Sequence, residues 1–128
     1  MTVEWNTPKG FLTIGGVVLI VVGLLGFFLT GPTPQDIIFG EAWWLDNGEN
    51  WAHTLLGVVA LVLVFAVKHD QLNKWVVAAL GVIGVLIGLY SLVISEGFLG
   101  ANLENPADSI LHLVVGAWAL YAAFGGKE

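Results

Sequence analysis

Two histidines, each one helical turn after a carboxylate, are the residues of this chain best suited to chemistry. Glu49 precedes His53 and Asp108 precedes His112. Both stretches, ENWAHTLLGVVAL and DSILHLVVGAWAL, continue with a glycine four residues after the histidine and an Ala-Leu pair beyond it. Offsets of four and seven place carboxylate, imidazole, Gly57 or Gly116, and Ala60 or Ala119 along one stripe of a helix. A neutral imidazole is a good metal or haem ligand, and a carboxylate one turn away can co-ligate or orient the ring. Two such pairs facing one another suit zinc, iron or manganese. His53 and His112 are therefore the candidate cofactor ligands, with Glu49 and Asp108 as candidate metal co-ligands. A plainer reading competes with this one. An acid at the start of a helix is explained by capping and by the positive end of the helix dipole. Duplication copies a packing histidine as readily as a ligand. That reading, with no cofactor, is the expectation carried forward.

The elements that must position these residues are membrane spans. The chain is 57% hydrophobic and only 11% charged, which is not the composition of a water-soluble domain. Its apolar residues come in uninterrupted blocks, and a bilayer span needs about twenty of them. Residues 11–30, 51–67, 75–95 and 106–124 read as four transmembrane helices in a single domain. There is no cysteine, so disulfides and thiolate metal sites are excluded. The net charge of −6 hides a segregation of signs. Lys9, Lys68, Lys74 and Lys127 fall in the two termini and the middle connection, and acids fill the other two connections. With four spans those lysine-bearing regions share one face, which the positive-inside rule assigns to the cytoplasm. Both termini are expected inside and the acidic loops outside. The first helix reads as a retained signal anchor. No basic patch suits nucleic acid.

The first span is rich in glycine, and Gly16 and Gly23 stand seven apart on one face. Gly81 and Gly88 repeat that spacing in the third span, and Ser91 falls where Gly26 would. Such faces let helices approach closely in a bilayer or dock a partner. Gly31-Pro32-Thr33-Pro34 is expected to stop the first helix. The long connection that follows, with Trp43 and Trp44, reads as an interfacial belt. Asp46 followed by Glu49 predicts a capping box on the second helix. His69 is expected simply to be solvated in a short connection. Asn105-Pro106-Ala107-Asp108 reads as the start of the fourth helix.

Gly16 to Gly81 is an offset of 65 and His53 to His112 an offset of 59. The expected fold is accordingly an all-α four-helix membrane bundle made of two tandem helix hairpins. Their repeat axis would run along the membrane normal, with both histidines at one depth. The paired His-bearing helix starts, above all ENPADSILHLVVGAWAL, resemble an uncharacterised prokaryotic family of small four-helix membrane proteins. The resemblance covers Glu49–Leu61 and Gly97–Phe124 and implies this fold and a place in a prokaryotic inner membrane; it implies no activity.

Three function classes follow. The first is a structural or accessory component whose partners are the bilayer and another membrane protein or a second copy, met through glycine faces. The second is a metal- or haem-binding protein using His53 and His112. The third is an oligomeric channel or carrier. No nucleophile set, phosphate loop or dinucleotide fingerprint points to an enzyme. No span carries a mid-membrane charge or a proline break of the kind transporters use. The first class is the expected one.

Overall fold

A computed structural model describes residues 3–29, 46–94, 97–98, 101–102 and 107–125. They form four helices, α1 (Pro8–Gly26), α2 (Asn47–Val62), α3 (Asp70–Val93) and α4 (Ala107–Leu120). A strand pair of two residues each, β1 (Gly97–Phe98) and β2 (Ala101–Asn102), follows α3, with Gly97 opposite Asn102 and Phe98 opposite Ala101. All four helices, with their terminal turns, are long and apolar enough to cross a membrane. Only 22 to 33% of each span is buried inside the chain, so most of every helix faces outward.

Local chemistry sets the helix ends. Thr7 caps α1, its hydroxyl accepting from the Gly10 N–H at 2.9 Å and donating to the Glu4 carbonyl at 2.9 Å. Pro8 then occupies the first helical position, where a missing N–H costs nothing. The helix ends at Gly26, four residues short of the expected Thr30. There the N–H groups of Phe27 and Phe28 turn to carbonyls three residues back, at 3.3 and 3.2 Å, which tightens and closes the last turn. The expected stop at 31–34 and the tryptophan pair at 43–44 lie outside the described residues.

The capping box on α2 is present as expected. Asp46 Oδ1 accepts from the Glu49 N–H at 2.8 Å, and Glu49 Oε1 accepts from the Asp46 N–H at 3.3 Å. After Val62 the helix widens into a π-helical turn, Leu63–Val67, closed by Lys68 in the left-handed region at φ 56°. His69 has more to do than meet solvent. Its Nδ1 accepts from the Leu72 N–H at 3.0 Å, which makes it the N-cap of α3. Capping shortens the connection to two residues, Lys68 and His69, and ties α2 to α3. The fourth helix also closes in a π-helical turn, Tyr121–Gly125. Its expected cap at Asn105 and Pro106 lies outside the described residues, while Asp108 sits in its first turn.

The helices pair along the sequence: α1 lies against α2 and α3 against α4, with a smaller seam between α1 and α3. The shared apolar core sits at the lysine-bearing end. Leu12, Val64, Val77, Ala119 and Ala122 are its most deeply buried residues. The N-terminal lead is latched there. The Trp118 indole N–H donates to the Trp5 carbonyl at 2.7 Å, and the Trp5 ring stacks on Tyr121 at 5.6 Å.

Within each pair, glycine removes the Cβ that would hold the backbones apart. A Cβ on Gly23 would lie 2.8 Å from the Asn50 carbonyl oxygen, and one on Gly57 would lie 2.7 Å from that of Gly16. In the other pair, a Cβ on Gly88 would meet the Ser109 carbonyl at 2.8 Å and one on Gly116 that of Gly81 at 2.9 Å. The obstructing atoms are backbone and cannot swing aside. By contrast, a Cβ on Gly15 would meet only the Phe11 ring, at 3.9 Å. Gly23→Ala and Gly88→Ala should therefore each lower stability by about 1–3 kcal/mol through overpacking, while Gly15→Ala should not. Thermal unfolding in detergent checks this, and equal losses at all three positions would contradict it.

Candidate functional site

The end of the bundle away from the lysines holds an unusual amount of buried polarity for a membrane protein. Glu49, Asn50, Ser91, Asp108 and Ser109 are each less than 5% exposed, and His53 and His112 are half-buried beside them. Each sits there for a local reason. Asn50 and Ser109 directly follow the two carboxylates and turn onto the inward stripe that carries Gly57 and Gly116.

In the first pair, the Asn50 carboxamide fills the space that a Cβ on Gly26 would need. At the matching level of the second pair, Ser91 and Ser109 meet hydroxyl to hydroxyl at 2.6 Å, and the Ser91 hydroxyl also donates to the Gly88 carbonyl at 3.2 Å. One pair thus combines no side chain with a large amide, and the other combines two small hydroxyls. Either combination fills a similar space, but exchanging one member would leave a void or a clash. Thr54 completes the first arrangement. Its hydroxyl donates to the Asn50 carbonyl at 2.8 Å, and the oxygen packs where Gly23 leaves room.

The two histidines are not equivalent. His112 Nδ1 lies 2.7 Å from the Asp108 carbonyl one turn back. A carbonyl oxygen can only accept, so Nδ1 carries the proton and a neutral ring keeps its lone pair on Nε2. That is the tautomer of a histidine ready to bind at Nε2. His53 lacks the corresponding bond: its Nδ1 is buried and has no hydrogen-bond partner among the described residues.

Of the four candidate residues, the structure brings His112 and Asp108 within electrostatic reach of His53. It commits one Glu49 oxygen to the cap of its own helix. Among the described residues, no group of three or more His, Cys, Asp or Glu side chains is placed to hold one metal ion. The arrangement offers two imidazoles and polar helix ends that bond to their own chain. Asn50 and Ser109 were not singled out in the sequence, although a signal existed. They occupy the same register after each acid, opposite Gly26 and Ser91.

Comparisons with protein families, with characterised proteins and with solved structures give no match to this chain. The reading of the site accordingly rests on its own geometry.

If the histidines act separately, each substitution removes only local interactions. His112→Ala should cost about 1 kcal/mol for its hydrogen bond, and His53→Ala less, because its Nδ1 makes none. The double variant should equal the sum to within about 0.5 kcal/mol, and a chelator should change none of the three. The measurement is thermal stability in detergent. A double variant no worse than either single, with chelator reproducing the loss in wild type, would show one shared ligand instead.

Proposed function

We propose that this chain is a small polytopic membrane protein serving as a structural or accessory component, in contact with the bilayer and with another membrane protein or a second copy of itself. One observation carries the reading: apart from His53 Nδ1, the bonds seen among the polar groups of the candidate site stay within the chain. The Asp46–Glu49 box, the Thr54–Asn50 bond, the Ser91–Ser109 contact and the His112–Asp108 bond all hold helices rather than present a reactive set. Cofactor binding is the second reading, favoured by the His112 tautomer, which keeps its lone pair on Nε2. An absorption spectrum and metal analysis of the purified protein separate the two. The first reading predicts no haem band and no stoichiometric metal; either signal, lost in His112→Ala, would replace it with the second.

The architecture belongs to the same proposal. Two tandem hairpins are supported by contacts that recur at the offsets of 65 and 59. Gly57 approaches the Gly16 carbonyl as Gly116 approaches that of Gly81. Leu12 and Val77 match in the core, as do Ala60 and Ala119. The family likeness to small four-helix prokaryotic proteins rests on the paired histidine motif. A prokaryotic inner membrane, cytoplasmic termini and acidic outer loops rest on the lysine distribution and the positive-inside rule.

Orientation has a direct test, because the chain has no native cysteine. Gly48 and Gln71 are exposed at opposite ends of the bundle, whereas Asn73, also in the first turn of α3, is 2% exposed and would be silent for the wrong reason. Gly48→Cys should react with an impermeant thiol reagent on intact cells, and Gln71→Cys only after lysis. The reverse pattern would invert the topology.

A further inference from the structure

The lysine end carries a cluster that the packing does not require. The Lys74 amine lies 5.7 Å from the centroid of the Trp75 ring and 5.6 Å from that of Phe124, and the two rings meet edge to face at 6.0 Å. Asp70, one turn earlier on α3, is the ordinary helical partner for such a lysine. The amine leans instead over two rings that are each more than half exposed.

Below it an apolar stripe runs along α3 through Trp75, Val82, Leu86 and Leu89, which are 46 to 59% exposed. At 1.5 Å per residue, Trp75 to Leu86 covers about 16 Å. That is about half the thickness of a bilayer's hydrocarbon core. A fixed cation thus stands at the head of an outward-facing apolar track one leaflet deep.

We propose that Lys74, Trp75 and Phe124 bind the phosphate of an anionic phospholipid headgroup, with an acyl chain along this stripe of α3. The chemistry selects the ligand. The ammonium supplies donors and charge for a phosphodiester, and interfacial tryptophan favours the headgroup level. A free phosphate would leave the apolar stripe unused. A phosphatidylcholine offers a cation to aromatic faces that Lys74 already covers.

The test is native mass spectrometry of the full chain released from micelles holding equal phosphatidylglycerol and phosphatidylcholine. Wild type should retain phosphatidylglycerol preferentially. Lys74→Gln should reduce that preference about fivefold, the size of one juxtamembrane lysine's attraction. Lys74→Arg, which keeps charge and ring contact, should retain it, as should Lys68→Gln, an exposed lysine at the same end. Excess inorganic phosphate should not displace the lipid. An unchanged preference in Lys74→Gln, an equal loss in Lys68→Gln, or displacement by inorganic phosphate would each overturn the site.

Discussion

Backbone-to-backbone contact at glycine is the constraint on which this structure depends. In lipid, helices gain nothing by hiding apolar surface from each other, since the tails around them are equally apolar. Association must come from close packing and from polar contacts between helices. The chain meets that condition twice. Gly23 and Gly57 bring α1 and α2 together, and Gly88 and Gly116 do the same for α3 and α4, each against a backbone atom of the opposite helix. Where the glycine contacts end, at the histidine-bearing end, side-chain polarity takes over through Asn50 on Gly26 and Ser91 on Ser109.

This division accounts for the polar character of the candidate site. A buried polar group in a membrane costs free energy unless it is bonded. The bonds that satisfy Ser91, Ser109 and Thr54 run to the facing helix or to their own backbone. The histidines lie at the edge of that arrangement, half-buried, one tied to its own helix and the other with a nitrogen that has no partner among the described residues. The opposite end is organised differently. Its core is apolar apart from the buried Asn73, its rim is aromatic, and Trp5 and Trp118 hold the N-terminal lead against α4.

Much of this was legible in the sequence because it is local or periodic. The four apolar blocks, the Asp46–Glu49 box and the seven-residue glycine spacing each need only one helix to be read. Contacts across helices were harder. Asn50 and Ser109 look like ordinary first-turn residues until Gly26 and Ser91 are seen to face them. The bond from Trp118 to Trp5 joins residues 113 apart, beyond any local pattern. The π-helical closures of α2 and α4 and the capping role of His69 depend on how the chain turns at a helix end, which composition does not specify. The strand pair, two residues on each side, is too short to leave an alternating signature.

The central claim is that α3 and α4 of one chain lock together at the level of Ser91 and Ser109, and it can be tested by cross-linking in the membrane. The native chain has no cysteine, and the two hydroxyl oxygens lie 2.6 Å apart. The double variant Ser91→Cys/Ser109→Cys should therefore close a disulfide on mild oxidation and remain a monomer on a non-reducing gel. Either single variant should form none within the chain. A disulfide that joins two chains, or a pair that stays reduced, would mean that these helices do not pack as described.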